Sequence, residues 1–265
     1  GIALLGSLAT GSAMALTTPG ALGGEGADKK AAVALAMNHF GVSEADLKKV
    51  LAAALEKGGD YADLFFEHTI SNSIRLMDGA VNNSYSNIDY GVGVRVLTGD
   101  QSGYAYVENI TVEDMLKAAR TAARIASANK GNKPLNLTEK ELKKNYYTVA
   151  YPWEEVSLKD KMPYLQKLND RIFALDKRVH KVQASQSDTT SHIFFCNSEG
   201  VMFYDYRPMV TLGAVCIMEE DGKTENGYAA RAYRRGFDFL SDEVVDVIAR
   251  EAVDQTSLLF KAIKP

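Results

Sequence analysis

Histidines and cysteines are the side chains of this 265-residue sequence that could bind a transition metal. The histidines are His39, His68, His180 and His192, and no two lie three to five residues apart, as helix-borne zinc ligands do. His180 and His192 could meet across a hairpin, where Cys196 would add a third ligand. Because strand histidines more often face solvent, the sequence predicts no metal site and no catalytic residue in this chain.

Nucleophile and nucleotide-binding motifs are also missing from the sequence. There is no G-x-S-x-G elbow and no Walker-type phosphate loop. Cys196 and Cys216 lie in apolar, strand-like runs away from basic groups and helix starts, so we expect free thiols that pack as small hydrophobic side chains. Gly91-Val92-Gly93 precedes a strand, not a helix, which indicates close backbone approach or a bulge instead of a Rossmann turn.

The charged clusters favour solvated positions over binding sites. Residues 219–221 (Glu-Glu-Asp) predict a hairpin tip in water, since no apolar pocket is evident that would make a general acid of one carboxyl group. Arg231, Arg234 and Arg235 predict a solvated strand end more than a phosphate site. The formal net charge of −4 leaves no broad basic footprint, so we expect no nucleic acid partner.

Tyrosines on predicted strands are the most suggestive binding residues. A tyrosine combines a flat apolar ring with a polar tip, which suits the holding of peptides, although ordinary sheet packing uses the same residue. Tyr104 and Tyr106 are our candidate substrate-binding residues. The full set on predicted strands is Tyr85, Tyr90, Tyr104, Tyr106, Tyr204, Tyr206, Tyr228 and Tyr233.

Hydrophobic spacing predicts an α+β fold with antiparallel sheets in two blocks, each covered by helices. Ser43 and Ser157, each followed three residues later by Asp, predict helix starts, and Asp78-Gly79 predicts a hairpin turn. The order of elements suggests a weak duplication of one α+β unit, at the level of architecture only. We expect helices near 43–57, 111–127, 157–175 and 241–262, and strands at about 60–108 and 179–235.

The first thirty residues differ in composition from the rest. Residues 2–16 resemble the apolar region of a secretory signal with an A-x-A cleavage pattern at Ala13-Met14-Ala15, and they are too short to span a bilayer. A Gly-rich linker follows at 17–30. We therefore expect a signal-like arm and linker over 1–30 and an α+β domain over 31–265, with sub-blocks of about 43–128 and 157–262. The alternative for the arm is a segment that packs on the domain.

A family resemblance is carried by four segments in a fixed order. These are Asp60-Tyr61-Ala62-Asp63, NIDYGVGVRVLTGDQSGYAY at 87–106, Asp176-Lys177-Arg178-Val179, and the acidic hairpin at 219–223. Together they resemble the N-terminal region of the TldD-type subunit in the TldD/PmbA metallopeptidase family, whose members were long labelled as modulators of DNA gyrase. The resemblance covers about 45–260, and the acidic hairpin is closer to the TldD branch than to its inactive partner branch.

Membership of that family implies a zinc-dependent peptidase for unfolded or short peptides. It also implies a dimer, either of identical subunits or with a TldE/PmbA-like subunit. The family's metal ligands are an H-E-x-x-x-H helix and a later cysteine, none of which has a counterpart here. The resemblance therefore implies a substrate-side scaffold domain, inactive alone, whose zinc belongs to the full-length parent. The family members we compare with are cytoplasmic, whereas the signal-like start favours export to the periplasm.

Two other functions remain open at this stage. The same fold could serve as a stand-alone peptide- or protein-binding module without protease activity, or the chain could be an unrelated exported structural protein. Continuation of the reading frame past Pro265 into an H-E-x-x-x-H motif would separate the first of these from the peptidase.

Overall fold

The computed structural model describes residues 29–126, 138–139, 149 and 151–262 of the chain. The expected signal-like arm lies outside the described residues. The helices are α1 (Lys29–Phe40), α2 (Glu44–Ala54), α3 (Val112–Ile125), α4 (Leu158–Leu175) and α5 (Asp242–Leu259). The strands are β1 (Tyr61–Met77), β2 (Ala80–Thr98), β3 (Gln101–Val107), β4 (Thr138–Glu139), β5 (Val179–Asn197), β6 (Val201–Glu220) and β7 (Lys223–Tyr233).

The helix starts predicted from Ser-x-x-Asp are confirmed. At α2, the Asp46 backbone N–H donates to Ser43 Oγ over 3.2 Å, and the Ser43 N–H donates to Asp46 Oδ2 over 3.0 Å. Helix α4 begins with the same reciprocal capping box between Ser157 and Asp160. Each box satisfies two backbone donors that the first turn of a helix otherwise leaves unpaired.

Helix α1 was not predicted from the sequence. Its buried Val33, Ala36 and Phe40 join the first hydrophobic core, and Gly41 ends the helix at a positive φ of 67°. Because a Gly-rich segment precedes it and its apolar face is short, its helical pattern in the sequence is weak. The last turn of α1 carries His39.

The predicted α+β class is confirmed, but the strands form one continuous sheet. The order is β3-β2-β1-β5-β6-β7, all antiparallel, and β4 adds a short parallel pair with Val201–Met202 of β6. The two blocks join because β1 pairs with β5 over almost its whole length. Strands β2, β5 and β6 also run unbroken for 19 or 20 residues through positions where shorter strands were predicted.

All five helices pack on one face of this sheet, in two groups that lie side by side. Helices α1, α2 and α3 cover one end and form the first core with Leu64, Phe66 and Phe194. Helices α4 and α5 cover the other end and form the second core with Leu76 and Leu212. A band of polar residues crosses the sheet between the two groups of helices. None of the described helices has its apolar side on the opposite face.

The sheet has an approximate local two-fold axis between β1 and β5. Ile70 pairs with Thr190 at the centre, and His68–His192 and Asn72–Asp188 pair at equal distances on either side. The same operation matches β1–β3 and α3 with β5–β7 and α5. The duplication expected from element order is therefore present as a two-fold arrangement of three strands and a following helix.

The match extends to individual residues that sequence inspection did not align. Gly103-Tyr104-Ala105 on β3 corresponds to Gly227-Tyr228-Ala229 on β7. A Cβ at Gly103 would overlap the carbonyl oxygen of Ala122 in α3, and a Cβ at Gly227 would lie 2.7 Å from Thr256 Oγ1 and 3.2 Å from the Ala252 carbonyl in α5. Each glycine therefore lets a helix approach its edge strand closely.

Candidate functional site

The candidate tyrosines lie together on the edge strand β3. Tyr104 and Tyr106 both point to the helix-free face of the sheet, with 58% and 66% of their surfaces exposed. The Tyr104 ring lies over Gly93 of β2, where a Cβ would come within 2.6 Å of the tyrosine hydroxyl. A Cβ at Gly91 would lie 2.5 Å from the Val107 carbonyl oxygen, which is the close backbone approach predicted for the Gly91–Gly93 segment. The binding role of the two tyrosines stays a prediction.

The longest open edge of the sheet is the first part of β2. Residues 80–91 pair with β1 on one side, whereas pairing with β3 begins only at Val92. Within the described part of the chain, no strand lies on the outer side of this stretch. Tyr85 and Ile88 are 60% and 61% exposed there. Asp89 is the single charged residue of 80–91, which contains no lysine and no proline.

The two-fold-related stretch of β6 is protected by its sequence. Between the short pairing with β4 and the start of β7 pairing at Val210, it carries Asp205, Arg207 and Pro208. Charged residues and proline on an edge strand hinder the addition of another strand. The β2 edge has almost none of this protection, so another strand can add to the β2 edge more easily than to the β6 edge.

Pro208 also fixes the direction of the backbone groups on the β2 edge. Pro208 pairs with Thr190 and Ile88 pairs with Ile70, so the two-fold axis relates Ile88 to Pro208. Proline has no N–H, and in a continuous strand it occupies positions where that group would point away from the neighbouring strand. The N–H of Ile88 therefore points outward, as do those of Ser84 and Ser86 by alternation.

The hypothetical metal ligands on β5 do not converge. His180, His192 and Cys196 lie on one continuous strand, not on the two arms of a hairpin, so the possible meeting of the two histidines does not occur. At about 3.3 Å per residue, His180 and His192 are roughly 40 Å apart along the strand. The serines and threonines of residues 185–191 belong to the polar band of the sheet.

The structure instead brings His192 together with His39 and His68. The His39 ring of α1 contacts both the His68 ring of β1 and the His192 ring of β5, with ring-centroid distances of 5.0 and 4.7 Å. His39 Nε2 and His68 Nδ1 are 2.8 Å apart and share a hydrogen bond. Sequence reasoning missed this cluster because α1 was not recognised and the β1–β5 pairing was not predictable from spacing.

A carboxylate adjoins the cluster from a short 3₁₀ turn, Trp153–Glu155. His192 Nε2 lies 3.0 Å from Glu154 Oε1, and His192 Nδ1 lies 2.7 Å from the Tyr204 hydroxyl. The Tyr206 hydroxyl donates to Glu154 Oε2 over 3.1 Å. Because an ionised carboxylate only accepts, we assign the Nε2 proton to His192.

The electrostatics favour neutral imidazoles at two positions of the cluster. Burial, followed by the neighbouring His192 and His68, lowers the pKa of His39 to about 4. Burial and His192 also lower the pKa of His68, while Glu154 opposes both shifts. Burial is the largest single influence on Glu154 and disfavours its carboxylate, but the hydrogen bonds that the carboxylate accepts and its attraction to His192 together outweigh burial, so the pKa of Glu154 is lowered. His39 and His68 therefore resist protonation, whereas the Glu154 carboxyl group favours its charged form.

The two-fold-related position holds a different polar cluster. Lys161 Nζ of α4 lies 2.5 Å from Asp188 Oδ2, and these side chains are only 4% and 1% exposed. Asn72 and Gln186 donate to the two oxygens of Asp188 over 3.0 and 2.9 Å. This is a buried ion pair whose carboxylate accepts two further hydrogen bonds, while Gln186 Oε1 has no partner among the described residues.

The remaining candidate groups occupy structural positions. Cys196 and Cys216 are free and buried, as predicted, and burial raises the pKa of both thiols, so neither is poised as a thiolate. The acidic run ends in an exposed turn at Asp221-Gly222, which confirms the predicted hairpin tip. Arg231 contacts Glu251, and Arg235 contacts Asp238.

No described set of three His, Cys, Asp or Glu side chains is arranged to hold a metal ion. In the histidine cluster the rings stack at interplanar angles of 27–28° instead of converging on one point. The described residues thus do not fit a zinc site. Among them there is also no helix long and apolar enough to cross a membrane.

The fold is an α+β sheet with helices on one face, and sequence comparison gives its family. The central domain of the PmbA/TldA metallopeptidases matches residues 151–260, and domain 1 of the same family matches residues 62–126. A metalloprotease TldD homolog from Haemophilus influenzae is 31% identical over 214 residues, which are 77% of this chain and 44% of that protein. The chain belongs to the TldD/PmbA family.

Other relatives agree with this assignment. A metalloprotease TldD homolog from Buchnera aphidicola is 26% identical over 207 residues, covering 78% of this chain and 43% of its own length. The chain thus spans less than half of the curated relatives it matches.

Solved structures share the fold. A Thermotoga maritima protein described as a candidate modulator of a DNA gyrase aligns with a TM-score of 0.65 at 19% identity, over 84% of this chain and 50% of that one. TldE from Thermococcus kodakarensis aligns with a TM-score of 0.62 at 16% identity, over 80% of this chain and 47% of that one.

Proposed function

We propose that this chain is the N-terminal, substrate-side domain of a TldD-like zinc metallopeptidase, and that it captures unfolded or short peptides along the β2 edge. The observation that carries the proposal is the open, almost uncharged stretch 80–91. Its outward N–H and C=O groups offer main-chain hydrogen bonds to an extended peptide of any sequence. Such binding suits an enzyme whose substrates share an unfolded backbone and no common side chain.

The side chains around this edge supply only modest preference. Tyr85 and Ile88 present apolar surface at the edge itself. Tyr104 and Tyr106 lie on the adjoining strand, where they would contact a peptide that continued past residue 91 on the helix-free face. Aromatic rings in such positions add contact area without demanding one sequence.

Family membership supports the rest of the proposal. Relatives named metalloproteases indicate a metal in the whole protein, and we propose zinc held by residues outside the described part of this chain. The likeness to a TldE structure supports a TldD–TldE-like dimer. We further propose that 31–265 acts as one scaffold domain in two sub-blocks and that the mature protein is exported. The cytoplasm is the alternative location.

Binding of a labelled, unstructured peptide to the chain, followed by fluorescence anisotropy, tests the edge. Ile88→Pro removes an outward N–H at the position where the two-fold-related strand tolerates Pro208, so the fold should survive. Loss of one hydrogen bond, together with obstruction by the ring, should weaken binding roughly tenfold. Ile88→Thr is the matched control, because it trims the side chain and keeps the N–H, and it should weaken binding less than about threefold.

Equal affinity in wild type and Ile88→Pro, with unchanged circular dichroism, would remove the β2 edge from the proposal. Equal losses in Ile88→Pro and Ile88→Thr would assign the binding to the side chain and not to the backbone. The peptidase part of the proposal needs a longer chain that supplies the metal ligands. Zinc-dependent cleavage by the 265-residue chain alone would contradict the expectation that it is inactive.

A further inference from the structure

Helix α1 is fastened to the sheet through the histidine cluster. Its apolar residues Val33, Ala36 and Phe40 join the first core, while His39 in its last turn contacts both His68 and His192. From this geometry we propose that the three-histidine cluster is a proton-operated latch, which releases α1 from the sheet as the pH falls. The proposal concerns α1 alone and does not depend on peptide binding at the β2 edge.

The His39–His68 contact requires that the two rings share a single proton. The hydrogen bond between Nε2 of His39 and Nδ1 of His68 joins one N–H to one lone pair. An imidazolium carries protons on both nitrogens, so two imidazolium rings cannot form this bond. Their charges would also lie about 5 Å apart at ring-centroid distance. Protonation of both rings therefore replaces an attraction by a repulsion in a partly buried place.

The other groups that face His39 cannot neutralise several protons. Glu154 is the one described carboxylate among its electrostatic partners, and both Glu154 oxygens are already engaged by His192, Tyr206 and Thr190. The other rings that contact the cluster are uncharged tyrosines: Tyr90 from β2, and Tyr204 and Tyr206 from β6. One carboxylate thus faces three imidazoles.

The helix end itself acts in the opposite direction. A cation in the last turn of a helix interacts favourably with the unpaired carbonyl groups there. His39 occupies such a position in α1, yet its pKa is lowered to about 4. Burial and the two neighbouring imidazoles therefore outweigh the helix end.

The sign of the pH dependence follows from this lowered pKa. An imidazole on released α1 titrates near 6.5, whereas docked His39 titrates near 4, so the released state binds more protons between these values. Docking is fully stable above pH 6.5 and weakens as the pH falls towards 4. From these two values, docking at pH 5.0 is weaker by about 30-fold at most through His39 alone. His68 adds to the effect in the same direction.

Hydrogen exchange followed by mass spectrometry measures the release directly. A free helix of 12 residues is marginal in water, so released α1 loses its amide protection. Protection factors, corrected for the intrinsic pH dependence of exchange, should fall in α1 by up to 30-fold between pH 7.5 and pH 5.0. Helix α2 is the internal control, because it packs in the same core without a histidine, and its protection should change less than about threefold.

Two substitutions separate the latch from general acid instability. His39→Gln keeps a hydrogen-bonding side chain that does not titrate, and His39→Phe keeps a stacked ring in case glutamine fails to dock. In whichever variant docks at pH 7.5, most of the pH dependence of α1 should disappear. Unchanged α1 protection in the wild type at pH 5.0 would overturn the latch. So would an undiminished pH dependence in the docked variant, or parallel loss of protection in α1 and α2. Repeating the series with EDTA and with added zinc covers a metal: protection that follows zinc instead of pH also overturns it.

Discussion

The two polar clusters on either side of the two-fold axis use the same backbone position for opposite purposes. Around Asn72 and Asp188 the structure places a lysine, and the charges are buried, paired and permanent. Around His68 and His192 it places another histidine and a partly exposed glutamate, so the charge there depends on pH. Equivalent positions in a duplicated sheet thus hold one cluster with permanent charges and one cluster whose charge depends on pH.

The difference shows how the cost of burying charge is met. Lys161 and Asp188 compensate each other, and the amides of Asn72 and Gln186 complete the shell of the carboxylate. In the histidine cluster, His39 and His68 avoid most of the cost by staying neutral. A buried ion pair contributes little net stability compared with a well-packed apolar core, but removing one partner strands the other charge.

The largest effect should come from breaking the fixed cluster. Lys161→Met leaves the Asp188 carboxylate buried without its cation, and we expect a loss of about 3–5 kcal/mol in the free energy of unfolding. Urea denaturation at pH 7.5 measures it. The double variant Lys161→Met/Asp188→Leu should recover part of the loss. If the single and double variants are equally destabilised, packing rather than charge accounts for the effect of Lys161.

A smaller effect should distinguish the two glycines that admit the helices. A Cβ in Gly103→Ala would overlap the Ala122 carbonyl oxygen, whereas a Cβ in Gly227→Ala would lie 2.7 Å from Thr256 Oγ1 and 2.9 Å from the Thr256 backbone nitrogen, so its overlap is smaller. We expect about 3 kcal/mol of destabilisation for Gly103→Ala and about 1–2 kcal/mol for Gly227→Ala. Thermal unfolding of the two variants gives the ranking. Equal losses would mean that α3 and α5 shift equally easily to accommodate the added Cβ, although the contacts at Gly103 are tighter than those at Gly227.

The smallest effects should come from the paired tyrosines. Tyr104 and Tyr228 are similarly exposed, at 58% and 55%, so alanine at either position should cost less than about 1 kcal/mol of stability. Peptide affinity should separate them, because Tyr104 adjoins the β2 edge and Tyr228 lies at the far side of the sheet. We expect a loss of about two- to fivefold for Tyr104→Ala and Tyr106→Ala, and none for Tyr228→Ala. Anisotropy titrations with one peptide decide this, and unchanged affinity in all three removes the tyrosines from the site.

Local chemistry made much of the fold predictable. The Ser-x-x-Asp starts of α2 and α4 and the Asp-Gly turns at 78–79 and 221–222 each act within four residues, so their sequence signals are complete. The pairing of β1 with β5 was not predictable, because it joins residues more than a hundred positions apart and depends on the whole sheet. Only the assembled sheet shows that Pro208 lies on an edge, where a strand tolerates proline.

The candidate site divides in the same way. Tyr104 and Tyr106 could be placed on an edge strand from the turn before them. The open stretch 80–91 could not be recognised as an edge until the length of β3 was known, since β3 covers only the end of β2. The histidine cluster could not be predicted without the packing of α1, β1 and β5. His39 and His68 are 29 positions apart along the chain, and His68 and His192 are 124 positions apart.

The central pairing of β1 with β5 also records how such a sheet arises. Two copies of one helix–strand unit, meeting edge to edge about a two-fold axis, would place the same residue opposite itself at the centre and reciprocal pairs on either side. Ile70 opposite Thr190, flanked by His68–His192 and Asn72–Asp188, keeps that arrangement within one chain. In a symmetric dimer of identical units, the two polar clusters would have the same residues. Within a single chain they are free to differ, as the lysine in one and the histidines in the other show.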